Sequence, residues 1–226
     1  MVAARLPRSS RCVILPGMSP ARKKSEAAAS DQGGGLDRYH AKRDFTKTPE
    51  PAGAAAVEPV SPDRVYVIQK HHAGHLHYDL RLESGGVLKS WAVPKGPSLD
   101  PADRRLAVEV EDHPLDYAGF EGAIPAGEYG AGRVIVWDRG TFRPRGDASF
   151  ETMLEKGSVK IEIAGEKLAG GFALVLTRFA GKKNNWLLIK EKDTHARPGS
   201  AVTDEAPRSV LSGKEVDDVS LQRRGQ

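Results

Sequence analysis

Eight short apolar runs, each alternating with period two and bounded by Gly, Pro or Asp, constrain this chain more than any other feature. They read "RVYVIQKH" (64–71), "HLHYDLRLE" (75–83), "GVLKSWAVP" (86–94), "RLAVEVEDH" (105–113), "GRVIVWDRG" (132–140), "SVKIEIAG" (158–165), "GGFALVLTRF" (170–179) and "NNWLLIKEKD" (184–193). Alternation of this kind is a strand signature, and so many short strands with tight connections predict an all-β, closed or nearly closed antiparallel barrel of about eight strands. "SGG" at 84–86 predicts a hairpin between the second and third strands. Helix is expected only in "DASFETMLEKG" (147–157), where Phe150, Met153 and Leu154 share a face and Gly157 ends it.

The ends of the chain lack this patterning. Residues 1–36 carry six basic groups in their first 30 positions against the single acid Glu26, whereas residues 31–190 balance 22 bases with 22 acids. The net charge of +4 therefore resides in a basic tail, expected to be disordered and able to add sequence-independent affinity for phosphate backbones. Met18 is a second candidate start. Residues 194–226 are expected to form a polar, disordered tail, in which "RSVLSGKEVDDV" takes up a short helix on binding a partner. The organisation expected is thus a tail at 1–36, a barrel domain at 37–193 and a tail at 194–226. The single Cys12 excludes an internal disulfide and a cysteine-based zinc site. No run approaches the ~18 apolar residues of a membrane span, and the N-terminus lacks a secretory core, so a cytoplasmic protein is expected.

The second strand carries the chemistry. In "HLHYDLRLE", Leu76, Tyr78, Leu80 and Leu82 share one face and His77, Asp79, Arg81 and Glu83 the other. By itself this describes any half-exposed strand. His71, six residues upstream of His77, can be brought back beside it by a turn at Gly74, and two imidazoles and a carboxylate would then converge. That donor set suits Mn, Fe, Co or Zn with open positions for water or substrate. His72 and His75 are spare. In "RLAVEVEDH" the alternation sets Arg105, Glu109, Glu111 and His113 opposite Leu106, Val108 and Val110, supplying a further arginine and histidine to the same barrel mouth. Arg43 and Asp44 could be contributed by an N-terminal strap folded over the barrel, although on composition alone that segment reads as an ordinary charged linker.

"DRYHAKRDFTKTPEP", "VIQKHHAGHLHYDLRLESGGVLKSWAVPKGPSLDP", "RRLAVEVEDHPLDYAGFEGAIPAGEYGAGRVIVWDRG" and "NNWLLIKEKD" together resemble the 3'-phosphoesterase domain of bacterial DNA ligase D, over about residues 37–193. The resemblance implies that His71, His77 and Asp79 bind manganese and that Arg43, Arg81, His113 and Tyr117 hold the scissile phosphate. Asp44, Glu50, Arg105 and Glu111 match polar residues around that site, and Lys95 matches a basic position for which an ordinary surface lysine is the competing reading. The implied activity removes a ribonucleoside and then a phosphate from a primer 3' end, leaving a 3'-hydroxyl. Whether His113 acts as an acid or as a hydrogen-bond donor stays open. The implied partners are primer-template DNA ends at the nucleoid. Because no ligase or polymerase motif follows, a stand-alone phosphoesterase working with separate ligase, polymerase or end-binding proteins is expected. Two other classes compete: a cupin-like non-haem iron oxygenase using His77, Asp79 and His113, which would leave the arginines without a role, and a noncatalytic DNA-end-binding subunit.

Overall fold

A computed structural model of the chain describes residues 35–53, 63–177 and 184–220. Of the tail expected at 1–36, residues 1–34 lie outside them. Ten strands form one antiparallel sheet: β1 (Arg64–His72), β2 (Leu76–Ser84), β3 (Val87–Val93), β4 (Arg105–Glu109), β5 (His113–Pro114), β6 (Gly122–Ile124), β7 (Gly132–Pro144), β8 (Ser158–Gly165), β9 (Ala169–Leu176) and β10 (Asn185–Lys190). The order β1-β2-β3-β4-β10-β9-β8-β7 returns to β1 through a β1–β7 pairing. This is a closed eight-stranded barrel, as the alternation predicts. The short β5 and β6 lie outside the ring, paired with β3 and β7.

Local chemistry explains the connections. Gly85 (φ 58°) and Gly86 (φ 80°) supply the two left-handed positions of the β2–β3 hairpin, as a type I' turn requires. The expected helix is α2 (Phe150–Glu155), following α1 (Asp37–Ala41). The Ser149 hydroxyl caps α2 by accepting from the Thr152 N–H, and Gly157 ends the turn at φ 69°. Inside the barrel Tyr66, Ile68, Leu80, Trp91, Trp137 and Phe172 belong to one buried hydrophobic core. Side chains of this size fill the interior of an eight-stranded barrel.

A second, smaller cluster lies on the outer wall. Tyr39 from α1, Leu88, Tyr117, Phe120, Ile124 and Val134 pack together there, with the strap at residues 35–53 and the segment 115–124 laid over the strands. β1, β2 and β3 are consequently buried on both faces.

Two expectations are corrected. "RLAVEVEDH" is not one strand with one polar face. β4 pairs with β3 through Trp91↔Glu109 and Ala92↔Val108, but β5 pairs through Leu88↔His113, a register shifted by one residue. That extra residue flips the side chains. Ala107 is buried in the barrel core and Leu106 is 41% exposed, the reverse of the expected parity, while His113 emerges on the outer wall. The second correction concerns residues 194–220, which pack against the barrel rather than forming a loose tail. α3 (Val202–Glu205) inserts Val202 into the barrel core, and the Trp137 indole N–H donates to the Ala206 carbonyl at 2.7 Å. Val216 is also buried. Isolated anchors of this kind leave no periodic trace in a polar sequence.

Candidate metal centre and phosphate pocket

The antiparallel register of β1 and β2 sets His71 opposite His77 and Gln69 opposite Asp79. Paired residues in such a ladder share a face, so the two imidazoles and the carboxylate meet on the outer wall. One donor atom from each of His71, His77 and Asp79 lies within 4.8 Å of the others, the only such group of three among the described residues. The connection follows the expected turn, although Gly74 is not among the positive-φ glycines and its conformation does not require glycine.

Hydrogen bonds orient both rings. His71 Nε2 lies 2.9 Å from the Gly130 carbonyl, and His77 Nδ1 lies 3.0 Å from the His75 carbonyl. A carbonyl only accepts, so those nitrogens carry the protons. The bare nitrogens, His71 Nδ1 and His77 Nε2, then face Asp79 at 3.7 and 3.6 Å. Imidazoles held in the tautomers that present lone pairs beside a carboxylate form a donor set that fits a divalent cation. Burial pushes the Asp79 carboxyl up, but the Arg81 guanidinium beside it, foremost among its neighbours, counters this and the pKa lies well below the usual range. The carboxylate is therefore ionised at neutral pH.

Arg81 follows on the same face, buried, with Nη2 donating to Asp79 at 3.1 Å, Nε to Gln69 at 2.7 Å and Nη1 to Ser90 at 2.9 Å. Its guanidinium lies 4.8 Å from the centre of the Tyr117 ring. These three bonds use three of five N–H groups, which leaves donors for an anion. Gln69 is itself fixed by donating to the Tyr117 and Phe120 carbonyls. Neither Gln69 nor Ser90 was singled out from the sequence. Gln69 has the parity of His71, and Ser90 is the small polar residue opposite Arg81 in the β2–β3 register.

The strap brings Arg43. Its guanidinium stacks 3.8 Å from the Tyr39 ring centre, donates from Nε to Glu50 at 3.0 Å and from Nη1 to Glu111 at 3.2 Å, and points Nη2 at His113 Nε2 at 3.2 Å. His113 Nδ1 sits 2.9 Å from the Glu111 carbonyl and carries the ring proton. The imidazole thus presents its Nε2 lone pair to Arg43. Burial, reinforced by the charges of Arg81 and Arg43, pushes the His113 pKa well below its usual value. Glu50 also accepts from the Tyr117 hydroxyl at 3.0 Å, and burial pushes that phenol far up. Burial raises the Glu111 carboxyl, but Lys42 and Arg43 outweigh it and leave it below its usual value.

Arg43, Arg81, His113 and Tyr117 line one cavity of about 290 Å³ with the three metal-binding candidates, and Glu50 and Glu111 close its wall. The cavity opens on the outer wall under the strap, not at the barrel mouth as expected. Three expected residues do not reach it. Arg105 is turned toward Asp103, to which it donates at 2.7 Å, because the register shift separates it from Glu111 and His113. Lys95 is exposed in the β3–β4 connection. Asp44 closes a local turn with Thr46 and pairs with Lys47 at 2.6 Å, which lowers its pKa to about 2.

Residues 69–176 match the family model of the DNA ligase D 3'-phosphoesterase domain. The multifunctional non-homologous end joining protein LigD of Pseudomonas aeruginosa is 52% identical over 193 residues, covering 84% of this chain and 22% of its own length. The corresponding DNA repair protein of Mycobacterium tuberculosis is 46% identical over 173 residues, covering 76% of the chain and 21% of its own. That of Mycolicibacterium smegmatis is 44% identical over 183 residues, covering 79% and 23%. The chain spans about a fifth of the length of these relatives.

Proposed function

From the premise that this chain belongs, through its matched domain, to the DNA ligase D 3'-phosphoesterase family, we propose that it is a manganese-dependent hydrolase of DNA 3' ends. It removes a terminal ribonucleoside and then the remaining phosphate, leaving a 3'-hydroxyl for end joining. The observation that carries the reading is the convergence of His71, His77 and Asp79 with Arg43, Arg81 and His113 in one cavity. A cation site alone would suit many reactions. Guanidinium groups beside it select an oxyanion substrate such as a phosphoester.

When bound to His71, His77 and Asp79, a divalent metal supplies Lewis-acid charge for the phosphoryl oxygens. Arg81, held on three sides by Asp79, Gln69 and Ser90, directs its remaining donors at the same oxygens without reorganising. Arg43 does so from the strap, its position fixed by Glu50 and Glu111. His113 rests neutral with Nε2 as an acceptor. A phosphate anion arriving between Arg43 and His113 favours protonation of Nε2, and the ring then donates to the leaving oxygen. Burial of these groups against Tyr39 and Tyr117 restricts water and strengthens each charge interaction.

The test uses a DNA primer ending in one 3'-ribonucleotide or in a 3'-phosphate, with manganese or with chelator. Expected is manganese-dependent loss of the ribonucleoside and release of inorganic phosphate, with a deoxyribose end processed more slowly because it lacks the 2'-hydroxyl. Binding of DNA ends without hydrolysis of either substrate would overturn the reading in favour of a noncatalytic end-binding protein.

A further inference from the structure

Tyr129 is an exposed aromatic side chain, 47% accessible, on the rim of the cavity that contains Arg43, Arg81 and His113. No step described so far uses it. Most large apolar side chains of the described residues are buried, and an aromatic ring left open beside a phosphate-binding cavity invites a flat, apolar partner.

Its placement is tightly determined. The Ala131 N–H donates to the Glu128 carbonyl at 3.1 Å, which puts Tyr129 and Gly130 at the centre of a four-residue turn. Gly130 has φ 75°, as the third position of a type II turn requires. A Cβ there would also meet the His71 ring at 3.8 Å. The Gly130 carbonyl is the acceptor that orients His71. On the strap side, Lys42 Nζ donates to the Tyr129 hydroxyl at 3.1 Å and lies 4.4 Å from the ring centre, while the Arg43 guanidinium lies 5.5 Å from it. The ring therefore links the loop that aims a metal-binding histidine to the strap that carries a phosphate-binding arginine.

Given the phosphoesterase reading, on which this rests, we infer that Tyr129 is the stacking platform for the base of the terminal nucleoside, the one that leaves with the scissile bond. The preceding base is stacked and paired within a primer-template duplex. Only the terminal nucleoside, beyond the scissile phosphate, can splay onto a side chain at the rim. Every base has a π face, so stacking tolerates all four and gives affinity without sequence preference. A 3'-phosphate end has no such nucleoside and makes no use of the ring.

The two substrates of the wild-type chain therefore separate the roles. The quantity measured is the ratio of kcat/KM for ribonucleoside removal to kcat/KM for release of a 3'-phosphate. Expected is a fall of about tenfold in this ratio for Tyr129→Ala, carried by KM, with the ratio retained in Tyr129→Phe. The wild-type chain acting on a primer that ends in an abasic ribose should show the same deficit. An equal loss on both substrates would overturn the inference and make Tyr129 a support for His71 and Arg43. Loss in Tyr129→Phe equal to that in Tyr129→Ala would assign the effect to the hydroxyl and would also overturn it. Failure of the wild-type chain to hydrolyse either substrate would instead overturn the underlying reading.

Discussion

The two faces of β1, β2 and β3 are both buried, yet they are built from opposite chemistry. Toward the barrel axis stand Tyr66, Ile68, Leu80, Leu82 and Trp91, side chains stabilised by removal from water. Toward the strap stand Gln69, His71, Asp79, Arg81 and Ser90, almost as inaccessible but joined by hydrogen bonds and charge pairs. Adjacent residues of one strand thus serve different ends. The inner face is tolerant of exchange among apolar shapes, whereas the outer face is sound only while each polar group keeps its partner. The outer cover, Tyr39 with Tyr117 and Phe120, makes that network dry enough for charge to matter.

The sharpest contrast comes from neighbouring positions of β2. Arg81→Ala leaves the Asp79 carboxylate buried without its guanidinium, at a cost of about 3–5 kcal/mol in stability, and it should also slow both ribonucleoside and phosphate removal about 10²-fold or more. Urea denaturation and steady-state kinetics measure the two effects. An Arg81→Ala chain of wild-type stability would show that the outer network is not coupled as described. Leu80→Ala, one position away and facing the core, should cost about 2–5 kcal/mol. At temperatures where the variant stays folded its hydrolysis should remain near wild type, and a selective catalytic defect would break the division between the faces.

A smaller effect is expected with pH. The folded pocket holds His113 below its ordinary pKa of about 6.5. Below that value the unfolded chain binds a proton that the folded chain resists, so stability falls as pH drops from 7 toward 5. In His113→Gln this part of the slope is absent. Urea midpoints across that range compare the two chains, and parallel curves would show that His113 is not buried as a neutral ring.

Much of this architecture was legible because period-two alternation and turn residues act locally. The eight ring strands, the Gly85–Gly86 hairpin and the Ser149-to-Gly157 helix follow from short windows of sequence. The same alternation placed His77, Asp79 and Arg81 on one face, and the β1–β2 register brought His71 to them. Register shifts are not local. The one-residue slip between β4 and β5 separates Arg105 from His113 and depends on how β3 pairs along its length. Nor does alternation say which face is the inside of a barrel when both are covered, and the site therefore lies on the outer wall instead of the mouth. Gln69 and Ser90 act only through neighbours on other strands or loops, so their roles appear once the contacts are known.

The central claim is that the outer wall of β1 and β2 forms a cation site independent of the barrel core. Titration calorimetry with Mn²⁺ on the wild-type chain and on His77→Ala tests it directly, with thermal melts of the metal-free proteins alongside. Because His77 is only partly buried and its side chain is outside the core, the two metal-free chains should melt alike. Expected is one Mn²⁺ bound per wild-type chain and none at the same concentration by His77→Ala; undiminished stoichiometric binding by His77→Ala would contradict the claim.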